Sequence, residues 1–148
     1  MKPLIILREL LPLFLVIVWG IGHSKVPITN GRQIINVLEF GAIPNDGKDD
    51  TNALRRAVNY AKVTPNVELL LPAGQYHISD PLALDIQERA MSGGLGSNPQ
   101  DRLFVPNQKY AIGLDFEGAK DLIISAEGAV LICDGWMEPL SFRYAQKV

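Results

Sequence analysis

The chain holds one cysteine, two histidines and only 7% aromatic residues in 148 positions, and each scarcity excludes a line of chemistry. A lone thiol, Cys133, makes no intramolecular disulfide and no Cys/His cluster with metal-ligand spacing, so its expected place is a buried apolar position. His23 falls in the segment read below as a cleaved leader, which leaves His77 as the imidazole of the mature chain for any Ser-His-Asp or Cys-His arrangement. Tyr76-His77-Ile78 has strand character with no nucleophile pattern beside it, so that mechanism is not expected. A formal charge of −2 with interspersed signs provides no basic patch to release counterions from a phosphate backbone, and nucleic acid is not an expected partner. Met91-Ser-Gly-Gly-Leu-Gly96 is rich in glycine but lacks the Lys-Ser/Thr ending of a phosphate loop. No calcium-loop spacing occurs either, and neither a cofactor nor a metal site is expected.

What is present starts with an apolar run. Lys2 and Arg8 lead into Leu10 to Gly22, shorter than the roughly 20 residues a membrane helix needs, and residues 1–24 read as a signal peptide. Gly20, Gly22 and Ser24 offer cleavage after Gly22 or Ser24, although Glu9 departs from a positive leader. The expected location is secreted, periplasmic or at the cell surface, with membrane contact only through this segment if it stays uncleaved.

A polar segment over 25–33 precedes an ordered stretch over 34–78. Ile34 to Phe40 reads as a strand ending at Gly41, and Pro44-Asn45-Asp46-Gly47 as a turn. Asp49, Asp50 and Thr51 offer oxygens to the free amides of a helix over about 51–62, whose buried stripe is Ala53, Leu54, Ala57, Val58 and Ala61. Val67 to Leu71 and Gln75 to Ile78 read as strands on either side of Pro72-Ala73-Gly74. Over 79–109, Pro81, Gly93, Gly94, Gly96, Pro99 and Pro106 break every periodicity, so a long loop that covers or lines a site is expected.

From 110 to 148 the pattern repeats. Leu114, Phe116, Ala119 and Leu122 recur as Leu140, Phe142, Ala145 and Val148 at a constant offset of 26, with short strands at Leu122–Ser125 and Ala129–Ile132 between the copies. Units of that size gain a core by stacking on a neighbour. The second copy reaches Val148 on a strand-like position, and the expectation is an array cut within a repeat.

Asn36-Val-Leu-Glu-Phe-Gly-Ala42, Asp46-Gly-Lys-Asp-Asp-Thr51 and Leu71-Pro-Ala-Gly-Gln-Tyr76, in this order and spacing, resemble the N-terminal opening of the pectate-lyase-like superfamily. Asp121 to Ala129 followed by Asp134-Gly-Trp-Met-Glu-Pro139 resembles its first full coil, with Ala126 where glycine is usual. The resemblance implies a mainly β fold: the N-terminal cap and first coils of a right-handed parallel β-helix, with the helix near 51–62 plugging its end. It also implies carbohydrate as substrate, and catalytic carboxylates several coils further on, so no catalytic residue is assigned here.

Asp115, Glu117, Asp134 and Glu138 are the acids nearest the repeats, and a solvated face explains them as well as sugar chemistry does. Trp136 is the stronger candidate for carbohydrate contact, together with Tyr110 and Asp134, because an aromatic face packs on the apolar face of a sugar. Tyr76 and Phe104 are expected to flank it if the 79–107 loop folds over. The expected function is thus the N-terminal part of a secreted glycoside hydrolase or polysaccharide lyase, whose polysaccharide or oligosaccharide partner is met through the full-length parent. The alternatives are a non-catalytic carbohydrate-binding or structural β-helix surface protein, and an inactive truncated product.

Overall fold

Asn36 and Gly41 shape the first turn of the computed structural model, which describes residues 28–29, 31–103 and 109–148. The segment read as a signal peptide, His23 and Phe104 lie outside the described residues. Within the polar segment, β1 (Ile28–Thr29) pairs antiparallel with β2 (Arg32–Asn36). The strand expected to run on to Phe40 stops at Asn36, and Val37–Phe40 form a 3₁₀ turn. The reason is local. The Asn36 side chain accepts from the Leu38 N–H at 3.0 Å, and Gly41, left-handed at φ 93°, donates its own N–H back to the Leu38 carbonyl.

Helix α1 (Thr51–Val63) follows with the expected apolar stripe, and Ala53, Leu54, Ala57, Val58 and Ala61 are all buried. Its start departs from the expected triple cap. Asp49 does accept the Thr51 N–H, at 2.9 Å, and the Thr51 hydroxyl donates to the same carboxylate while accepting from the Ser79 N–H at 2.7 Å. Asp50 occupies the cap position with helical backbone angles, and its side chain does not cap the helix. Its buried carboxylate accepts instead from Ile43 N–H at 2.8 Å and His77 N–H at 3.3 Å. With that geometry the side chain points to the two neighbouring chain segments, and Asp50 joins loop, helix and strand.

Strands β3 (Val67–Leu70) and β4 (Gly74–Ser79) come next. The irregular loop expected over 79–109 is corrected: Pro81–Met91 form helix α2 and Gln100–Leu103 a short helix α3. Proline at the first helical position gives up an N–H that has no partner there anyway, and Asp80 caps the helix by accepting from Leu82 N–H at 2.9 Å. Ile86, Leu95 and Leu103, with Leu82 and Ala90 against them, bury a small satellite core.

Strands β5 (Ala111–Asp115), β6 (Leu122–Ser125), β7 (Ala129–Asp134) and β8 (Met137–Ser141) complete the chain. The fold is mainly strands with few helices. Three parallel ladders organise it: β2–β3–β6, β4–β7 and β5–β8, so the chain visits the same three sheets in the same order twice. Val67 pairs Leu122 and Gly74 pairs Ala129, both 55 positions apart, whereas Leu114 pairs Leu140, 26 apart. The 29 residues between 55 and 26 are the excursion of α2 and α3, because β4 and β5 are joined by residues 80–110 and β7 and β8 by Gly135 and Trp136 alone. Inward side chains stack along the ladders. Leu69, Tyr76, Ile78, Leu114, Phe116 and Leu122, with Leu54 of α1, are each exposed by 1% or less, and burying each such side chain contributes about 1.5–3 kcal/mol. Among the described residues, no helix is long and apolar enough to cross a membrane.

The two aspartates before α1 therefore have separable roles. Asp49→Ala removes a helix cap and is expected to cost about 1 kcal/mol. Asp50→Ala takes the buried acceptor from the Ile43 and His77 amides and is expected to cost about 2–3 kcal/mol. Urea unfolding of the two variants measures both, and a loss at Asp50 no larger than that at Asp49 would contradict the joining role.

Candidate functional site

The turn between β7 and β8 has room for α2 only because it contains glycine. A Cβ on Gly135 would lie 2.6 Å from the Ala83 carbonyl carbon and 2.8 Å from the Leu84 nitrogen, and its backbone is left-handed at φ +88°. The close approach lets Trp136 donate its N–H to the Ala83 carbonyl at 3.1 Å, which fixes the tryptophan beside the first turn of α2. Its side chain stays open, with the residue 43% exposed.

Register then brings a second aromatic to the same surface. Ala111 pairs Met137, so Tyr110 and Trp136 hold equivalent positions on neighbouring rungs, where ladder spacing is about 4.8 Å. Ala111 is buried and Met137 packs on the core; side chains alternate along a strand, which turns the residues just before them outward. Tyr110 is 39% exposed and Leu84, next to Ala83, is 45% exposed. Asp134 ends β7 at the same turn and is exposed. Trp136, Tyr110 and Asp134, all singled out in the sequence, thus gather at one end of the β5–β8 ladder.

Tyr76 is not among them. It is fully buried, and its hydroxyl donates to the Pro72 carbonyl at 2.8 Å; burial, with the Asp50 charge adding, pushes its phenol above the ordinary value. Its place in β4 is an inward one, so the expectation that it flanks Trp136 is corrected. Cys133 is half-buried rather than buried, and burial followed by the Asp134 charge pushes its thiol up. Of the other acids, Asp115 accepts the Glu117 N–H at 2.9 Å and Glu117 pairs with Arg143 at 2.8 Å, which gives both a structural role. Among the described residues, no three His, Cys, Asp or Glu side chains come together as a metal site.

Arg55 on α1 holds the surface in place, and no motif in the sequence marks it. Its guanidinium donates to the carbonyls of Gly113 at 3.0 Å and Ile112 at 2.7 Å, and to the Asp80 carboxylate at 2.8 Å. One side chain therefore ties the core helix to β5 and to the cap of α2. Burial pushes the Asp80 carboxyl up; the Arg55 hydrogen bond, the amides of Leu82 and Ala83 and the Arg55 charge outweigh it and hold the carboxyl below the ordinary 3.8. A capping aspartate before Pro81, with Leu82, Ala83, Ile86 and Ala90 at helical spacing, was the signal for α2.

A family model described as rhamnogalacturonase A/epimerase, pectate lyase-like matches residues 34–108. The chain is also similar to the alpha-1,3-galactosidase A of Peterkaempfera griseoplana, with 28% identity over 121 residues covering 81% of this chain and 16% of that protein. Against the alpha-1,3-galactosidase A of Shewanella woodyi the identity is 26% over 112 residues, covering 74% and 16%. An iota-carrageenase from Alteromonas macleodii shares 52% identity over 42 residues, 28% of this chain and 9% of that protein. The chain spans 16% of the length of either galactosidase.

Two outcomes test the placement of Trp136. Gly135→Ala forces α2 away and is expected to cost about 1–3 kcal/mol and to shift the Trp136 indole resonance, whereas Gly96→Ala, with open space around it, is expected to leave that resonance in place. The reverse pattern would contradict the close approach. The Asp80 carboxylate is held below its ordinary value, so its contribution is present above about pH 4 and lost as pH falls through the lowered value. Asp80→Asn is expected to be less stable than the parent by about 1 kcal/mol at pH 7 and to converge with it in acid, read by urea unfolding across pH 2–7. A gap that persists at pH 2 would contradict the ion pair as its source.

Proposed function

The chain belongs to the rhamnogalacturonase A/epimerase, pectate lyase-like family, and from that premise we propose that it supplies the N-terminal cap and opening coils of a secreted right-handed parallel β-helix glycoside hydrolase acting on polysaccharide or oligosaccharide. The single observation that carries the reading is the order of the ladders: β3, β4 and β5 lie in three sheets, and β6, β7 and β8 revisit them in turn, each parallel to its predecessor. That path is one turn of a solenoid stacked on another. Names of the relatives support the carbohydrate part, since the similar proteins are galactosidases and a carrageenase.

In this reading the role of the described residues is mechanical. Helix α1 closes the apolar end of the stack, and β3 to β8 set the register on which further coils align. Catalytic carboxylates belong to coils outside the described residues. Hydrolysis of a glycosidic bond needs two carboxyls set to either side of it, and the acids near the repeats include two, Asp115 and Glu117, already engaged in structural bonds. Residues 1–24 direct export in the same reading.

A chimera tests the scaffold role. The region of the Shewanella woodyi galactosidase that aligns with this chain is replaced by the matching residues here. Expected are a folded protein that retains alpha-1,3-galactosidase activity and no cleavage by the 148-residue chain alone. A chimera that misfolds, or glycoside cleavage by the purified chain, would overturn the reading.

A further inference from the structure

The surface around Trp136 has a chemistry that the scaffold role does not use. An indole and a phenol on successive rungs are each about 40% exposed, although exposing such large apolar rings forgoes the burial that drives folding. Neither the Trp136 indole N–H nor the Tyr110 hydroxyl has a hydrogen-bond partner among the described residues, and the two rings do not stack on each other as Phe116 and Phe142 do. Their faces and their polar tips are both available. The backbone beneath is tied down: Trp136 is bonded to Ala83, Gly135 admits α2, and Arg55 pins α2 to β5.

A ligand for this surface needs one broad face of C–H bonds, to lie on the rings, and hydroxyls at its edge to meet the indole N–H and the phenol. A pyranose has that form. Charge narrows the choice further. Asp134 and Glu138 stand two residues to either side of Trp136, the Arg55 guanidinium is already taken by Asp80 and two carbonyls, and Lys109, the cation beside Tyr110, is engaged with a partner of its own. Carboxylates accept sugar hydroxyls well, but they repel sulfate esters and uronates.

We infer that Tyr110 and Trp136, with Asp134 beside them, form a stacking platform for a neutral oligosaccharide on the outer face of the cap. The inference rests on the reading of the chain as part of a carbohydrate-active protein and deepens it, by placing a non-catalytic contact at the first coils and by specifying an uncharged glycan. The platform is spatially defined by the excursion of α2. Without those inserted residues β4 would meet β5 through a turn as short as Gly135-Trp136, and no helix would support the tryptophan.

Titration of the ¹⁵N-labelled full chain with a neutral galacto-oligosaccharide, followed by the indole N–H resonances, tests the platform. A saturable shift of the Trp136 indole is expected. Trp136→Ala and Tyr110→Ala should each weaken binding at least about tenfold, while Tyr144→Ala, which removes an aromatic that is 82% exposed elsewhere, should leave it unchanged. The same oligosaccharide carrying sulfate esters should bind at least about fivefold more weakly at low salt, with the gap closing as salt rises. Tyr110 makes no backbone bond to α2, so its variant keeps the test valid if Trp136→Ala unfolds. No indole shift, unchanged affinity in Tyr110→Ala, or equal binding of the sulfated ligand would each overturn the inference. An active chimera without glycan binding would remove the platform and leave the scaffold standing; an inactive chimera with Trp136-dependent binding would do the opposite.

Discussion

A stack of parallel strands buries its apolar face only if something lies across its first rung, and everything in this protein depends on α1 doing so. Its stripe is built mostly from alanines, with Leu54 and Val58 among them, which lets the helix sit close over β3, β4 and β5. The buried Asp50 carboxylate holds the helix start to the loop before it and to β4. With that end closed, the first rung is sealed between the helix and the second rung. Leu114 and Phe116 are each 1% exposed, while their register partner Leu140 and ring partner Phe142 are 40% and 43% exposed.

The second organising feature is an excursion rather than a ladder. After β4 the chain leaves the stack, Ile86, Leu95 and Leu103 bury a small core of their own, and the chain rejoins the stack at β5. Arg55 anchors both ends of this detour, through Asp80 where it leaves and through the Ile112 and Gly113 carbonyls where it has rejoined. The detour is also what gives the outer face an aromatic surface, because α2 comes to rest against the two-residue turn that carries Trp136. Scaffold and surface are therefore coupled through a few residues, and changes in α2 reach the tryptophan by way of Ala83 and Gly135.

Much of the scaffold was legible because its signals are local or periodic. The stripe of α1, the short apolar runs of β3 and β6, and the spacing of 26 that separates Leu114 from Leu140 can all be read from residue order. What escaped has physical causes. Helix α2 was hidden by Pro81, which breaks a helix in its interior but is welcome at its first position. The role of Asp50 was hidden because capping and bridging use the same side-chain oxygens, and only the backbone angles decide between them. The 55-residue offset of β3 from β6 was invisible as a repeat, since 29 inserted residues lie within it. Trp136 and Tyr110 were visible as candidates, while their shared position on successive rungs follows from a ladder register that composition does not reveal.

The most direct test of the stacked arrangement is its register. In a Cys133→Ser background, Gln75→Cys with Val130→Cys places two thiols on directly paired outward positions of β4 and β7, at a separation within disulfide reach. In-register parallel stacking predicts rapid intramolecular disulfide formation under mild oxidation, and little for Gln75→Cys with Ile132→Cys, which sits two residues out of register and beyond the about 7 Å over which a disulfide closes. Cross-linking of the displaced pair in preference to the paired one would contradict the stack.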